Sequence, residues 1–225
     1  MSRSLLVVLL LLASSGLSLA DALPKALPPC PGPSTTRLLP VLGVNPSEAD
    51  LRALLLVART VRDIPGRQGV GEKALLRAGR EAGGLLSEHP GDSTLHALAG
   101  ERDLLMVQYK GFPAGMAYGK KAQVQNDRAL SLDSKNPEAH LSKGLELYFK
   151  PWFVGGSVAR ALGEFERANA LRPGDPRILS WIGIARHRLG RPGARRFLSA
   201  ALDLCPESSF YRARAQTMNP RAVHP

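Results

Sequence analysis

The stretch YFKPWFVGGSVARA, Tyr148 to Ala161, raises the first question of chemistry because Ser157 follows Gly155 and Gly156. A serine in such a setting points to one of two reactions, acyl transfer at a nucleophile elbow or phosphate binding in a Gly-rich turn. An elbow needs G-x-S-x-G between a strand and a helix, and Val158-Ala159 follow Ser157 instead. A phosphate loop needs a longer glycine frame that ends in Lys and Ser/Thr, and the stretch has none. His89, His96, His140, His187 and His224 form no H-E-x-x-H and no Cys/His set at metal spacing. Each reads as a surface or hydrogen-bonded histidine. No two carboxylates stand out as acid and base. The residues assign no catalytic group, metal or cofactor, and a hydrolase is the least favoured reading.

The elements that must position these residues begin after a leader. The chain of 225 residues opens MSRSLLVVLLLLASSGLSLADALP. Arg3, the apolar run Leu5 to Ala13 and Ser18-Leu19-Ala20 form a signal peptide over residues 1–20, cut after Ala20. The run falls short of the roughly 20 apolar residues a membrane span needs, and Asp21 rather than a lipid-accepting Cys comes next. These features predict export of a bacterial type, to the periplasm or beyond, with no transmembrane segment after cleavage. The formal net charge is +11, and loss of Arg3 leaves +10. That balance favours acidic partners, an anionic surface among them. It does not favour nucleic acid, since export removes the usual targets and no aromatic-interleaved sheet is present. Cys30 and Cys205 are the only cysteines. An oxidising compartment permits a bridge between them that would tie the arm to the end of the array, but two separate thiols, with Cys205 packed at a helix end, is the favoured reading.

Asp21 to Asn45 is Pro-rich and reads as an N-terminal arm. From Pro46 the pattern is helical, with Leu51, Leu54, Leu55 and Ala58 on one face after Asn45-Pro46-Ser47. Pro65-Gly66 and Gly69 to Gly71 are expected to break it, and a second helix is expected over Glu72 to Glu88. The next endings recur: SEHPGDSTLHALAG, LDSKNPEAHLSKG, LRPGDPRILSWIG and LDLCPESS. Ser157 and Asp175-Pro176 read as helix starts. Three units share small residues at fixed offsets. Ala122/Ala129, Ala161/Ala168 and Ala194/Ala201 stand seven apart, and Ser134, Pro173 and Pro206 follow five later. Gly100, Gly144 and Gly183 precede each pair, while Asn126, Phe165 and Leu198 occupy one common slot. With these residues the chain resembles the tetratricopeptide repeat (TPR) family over residues 46–206. The resemblance implies an all-α solenoid of about four helical hairpins, closed by a cap or tail over 207–225. It also implies protein–protein interaction as an adaptor or scaffold, with a periplasmic accessory protein for a small apolar or acidic ligand as the alternative.

In that register two hairpins are too long. Gly183 to Ala194 is 11 residues, Gly144 to Ala161 is 17 and Gly100 to Ala122 is 22. The extra residues align as YKGFPAGMAYGKKA and YFKPWFVGGSVARA and are expected to be lengthened corners. Exported proteins of the family with Pro and Gly-Gly between paired helices look similar. Tyr109, Lys110 and Phe112 in one corner, and Tyr148, Lys150, Trp152 and Phe153 in the other, are the candidate partner-binding residues, with the lysines as an anion-attracting fringe. Arg186, Arg188, Arg191, Arg195 and Arg196, with His187, crowd the last corner; an anion-binding edge is one reading, and a solvated edge whose stems cover apolar surface is the favoured one. Leu141 and Leu145 flank Gly144, so the carboxylate clamp that some family members use is not implied.

Overall fold

The structure is a computed structural model that describes Cys30 and residues 47–217; the signal-peptide and arm expectations otherwise lie outside the described residues. Nine α-helices follow one another with no strand among the described residues. They are α1 Glu48–Val61, α2 Gln68–Glu88, α3 Ser93–Lys110, α4 Gly115–Leu132, α5 Pro137–Phe149, α6 Val158–Leu171, α7 Pro176–Arg188, α8 Ala194–Leu204 and α9 Ser209–Thr217. A 3₁₀ turn, Trp152–Val154, lies between α5 and α6.

Local chemistry sets most helix starts. Ser47, Asp92, Asn136, Ser157 and Asp175 each cap a helix, their side-chain oxygens accepting backbone N–H groups that the first turn leaves free. Pro137 and Pro176 then occupy the first turn, where a missing N–H costs nothing. One expectation fails here. Gly69 to Gly71 do not break the chain but form the first turn of α2, which starts at Gln68. Gly71 is required by packing, because a Cβ there would collide with the Tyr109 hydroxyl and with Val61.

The helices pair as α1–α2, α3–α4, α5–α6 and α7–α8, each pair packs on the next, and α9 packs on α8. Close approach inside the last three pairs comes through the glycines. A Cβ on Gly100 would strike Asn126, one on Gly144 would strike Phe165, and one on Gly183 would strike Leu198. The slot identified in the sequence is therefore a physical contact between the two helices of a hairpin. Ala122, Ala129, Ala161, Ala168 and Ala201 are fully buried, while Ala194, at the start of α8, is half-buried. Asn126 in the slot is compensated: Ser142 Oγ donates to its Oδ1 at 2.7 Å, and its Nδ2 donates to Glu146 Oε2 at 3.1 Å.

The edge where each hairpin hands over to the next carries a buried charge cluster. Glu138, in the first turn of α5, accepts from Arg52 Nη1 of α1 (2.8 Å), Arg172 Nη1 (3.0 Å) and Arg177 Nη1 of α7 (2.8 Å). Arg177 also donates to Asp175 Oδ2 at 2.9 Å. Burial alone would push the Glu138 carboxyl up, but Arg177 and Arg52 override it and hold it well below the usual carboxylate range. Cys30 is bonded to Cys205, which corrects the reading of two separate thiols: a disulfide joins the arm to the end of α8. Tyr211 of α9 is buried against Ala201 and Cys205, so the last helix seals the end of the array.

Candidate docking surface

The corners between paired helices all lie on the edge opposite the Glu138 cluster. An open cleft of about 550 Å³ shows the adjacency: Arg62 and Asp63 from the first corner, Tyr109 from the end of α3 and Phe149 from the end of α5 line it together. Arg188, from the last corner, lies over the Tyr148 ring at 5.1 Å and joins the fourth corner to the third.

The two lengthened corners are built differently, which corrects the expectation for one of them. Between α3 and α4 the extra residues extend the helices to 18 residues each, and the corner is only residues 111–114. Gly111 stops α3 at φ +63°, and Gly115 lies so close to the backbone of Val107 that a Cβ would crowd it. Between α5 and α6 the extra residues do form a corner, 150–157. Gly155 ends its 3₁₀ turn at φ +95°, a left-handed conformation that suits glycine. Gly156 N–H donates to Pro151 O at 3.0 Å, and a Cβ there would collide with the Lys150 carbonyl. Ser157 accepts from Arg160 N at 3.3 Å as the cap of α6. The Gly-Gly-Ser stretch is a turn with a helix cap.

The candidate rings divide. Phe112 is 86% exposed, Trp152 84% and Phe153 71%, with Trp152 and Phe153 edge to face at 5.9 Å. Val154, Met116 and Ile64 add exposed apolar surface on the same edge. Tyr109 and Tyr148 are half-buried and already engaged. Tyr109 OH donates to Ala58 O of α1 at 2.6 Å, and burial pushes its phenol up to about 12. Tyr148 packs on Trp181 at 5.3 Å between α5 and α7. Both are helix residues whose rings reach a neighbouring hairpin, so the protein's own contacts use them.

The lysines are corrected as well. Lys110 is paired with Glu72, and Lys150 Nζ donates to Gln123 Oε1 at 2.9 Å with Glu146 at 3.7 Å. They brace their corners. In the last corner Arg186 pairs with Glu166 at 2.7 Å and places its guanidinium over the Phe197 ring at 5.2 Å. Arg191, Arg195 and Arg196 are exposed. Position in a corner identifies these residues from sequence; which of them turn outward depends on the neighbouring hairpin, and no local pattern encodes that.

Helix-A side chains that would line an open groove are buried in the array: Glu101, Leu141, Leu145 and Ile184 are each at most 6% exposed. A second cleft, of about 450 Å³, runs between α2 and α4 past Gly79, Val124, Lys120 and Lys121. Both clefts are broad and open, unlike the enclosed pocket a small ligand needs. His96 and His140 have both ring nitrogens in hydrogen bonds, to Gln125 and Pro90 O and to Glu164 and Ser134 O.

No protein-family model matches the chain. No curated protein matches it either. Among solved structures it is similar to a thermophilic TPR protein of Thermus thermophilus, at 19% identity and a TM-score of 0.54, over 83% of this chain and 96% of that one. The fold is a TPR-like all-α solenoid.

Proposed function

We propose that this protein is an exported, non-catalytic docking scaffold whose contact surface is the corner edge. The observation that carries the reading is the set of Phe112, Trp152 and Phe153, held out into solvent on corners that are themselves fixed. Large aromatics offer contact area with few rotors to freeze, and for that reason they recur at binding hot spots. Glycine geometry and the Lys110 and Lys150 braces fix the corners in advance, which lowers the ordering cost of docking. The TPR-like fold favours a protein or peptide as what the scaffold serves. Open clefts disfavour the small-ligand alternative.

Export is supported by the leader and by the Cys30–Cys205 bridge, because disulfides persist in oxidising compartments. Sequencing the mature N-terminus tests it: Asp21 is expected first, and a cytosolic chain that retains Met1 overturns it. For the docking surface, a photo-crosslinking side chain at position 153 should trap a discrete adduct in the native envelope, whereas one at Glu88, on the opposite edge, should not. Equal trapping from both positions overturns the assignment.

A further inference from the structure

The two edges of the array differ in charge as well as in apolar exposure. For each connection between helices, the connector and two helical residues on either side can be compared. The four corners (60–69, 109–116, 148–159 and 187–195) hold seven Lys or Arg against one Asp, net +6. The four turns on the opposite edge (87–94, 131–138, 170–177 and 203–210) hold three against seven acidic residues, net −4. The basic edge is also the one that presents Phe112, Trp152 and Phe153. Arg67, Arg191 and Arg195 are exposed on it and make no ion pair with the described residues.

We infer that the corner edge seats this protein on an anionic lipid bilayer, with the rings of Trp152, Phe153 and Phe112 entering the headgroup region and the exposed arginines facing lipid phosphates. This rests on the reading of the corners as a docking surface and names what they dock on. Two observations favour a bilayer over an acidic protein. The rings are protruding tips rather than the walls of a groove, and amphipathic rings such as Trp settle at the membrane interface. The cation lining the cleft beside them, Arg62, is already paired with Asp63, and the cleft's Glu72 is paired with Lys110, so the cleft offers no free cation to an acidic peptide laid along it. Charge also fixes orientation: the net −4 edge is turned away from an anionic membrane as the net +6 edge is drawn to it. Each cation near such a surface contributes about fivefold in affinity at low salt.

Trp152 reports on this directly. The only other tryptophan, Trp181, is partly buried against Tyr148 and Phe165 and gives a constant background. The full chain is mixed with vesicles of phosphatidylcholine containing about a third phosphatidylglycerol, and emission and iodide quenching are read. The leader has no Trp, so recruitment by the leader alone leaves Trp152 open to iodide. The expected result is a blue shift and protection from iodide on anionic vesicles but not on pure phosphatidylcholine. Trp152→Phe should remove the shift. Arg191→Glu with Arg195→Glu should lower partitioning by about tenfold or more. Three results overturn the inference: Trp152 stays open to iodide on anionic vesicles, pure phosphatidylcholine gives an equal shift, or polyglutamate reproduces the shift without lipid. If Trp152 stays open while the position-153 crosslink to a protein still forms, the lipid inference falls and the docking reading stands. If both results are negative, both fall.

Discussion

Single side chains decide how closely these helices approach. Ala168 is fully buried in the cluster that α5, α6 and α7 share. Ala168→Leu would overpack it and is expected to cost about 1–3 kcal/mol, read from urea unfolding. An unchanged midpoint would mean that α6 turns a different face inward. Glu138 makes a second, pH-dependent prediction. Its folded-state pKa is depressed, so its stabilisation is present above the ordinary carboxylate range, near 4.3, and is lost as pH falls from there through the depressed value. Glu138→Gln removes the anion that Arg177 shares with Arg52 and Arg172, leaving Arg177 only Asp175, and should cost about 3–5 kcal/mol at pH 7. The variant should also lose much of the wild-type decline in stability below about pH 4. Equal acid slopes in the two proteins would contradict the assignment.

At the level of elements, the repeat register was legible in the sequence because it is written in small residues: Gly100, Gly144 and Gly183 face Asn126, Phe165 and Leu198 as the spacing requires. Caps were legible for the same reason, since Ser157 and Asp175 act through their own backbone neighbours. The errors fall where a partner from elsewhere decides. Gly71 reads as a breaker until Tyr109 is seen to need its space, and the residues after Gly100 read as a loop until they prove to lengthen α3 and α4. Tyr109 and Tyr148 look like surface aromatics in a short window, yet each is claimed by a different hairpin. The disulfide also belongs to this scale. Cys30 and Cys205 are 175 residues apart, so the bridge restricts a very large unfolded loop. Reduction, or Cys30→Ser, should lower stability by about 2–5 kcal/mol with helix content retained near 25 °C. Identical melting of reduced and oxidised protein would show that the bridge contributes nothing.

The whole molecule is a short solenoid with two unlike edges. One holds a buried ion cluster that ties α1, α5 and α7 together; the other carries rigid corners with rings in solvent. Helix-A side chains such as Glu101, Leu141, Leu145 and Ile184 are used for internal packing, and the corner edge carries the most exposed aromatic rings of the described residues. Because Trp152 and Phe153 make few contacts with the rest of the chain, Trp152→Ala with Phe153→Ala should change unfolding free energy by no more than about 0.5 kcal/mol. Docking through the corner edge is tested most directly by pairing that double variant's urea midpoint with its retention on native envelope. An unchanged midpoint with lost retention is expected. A lowered midpoint with the folded fraction still retained would make the corners structural and place docking elsewhere.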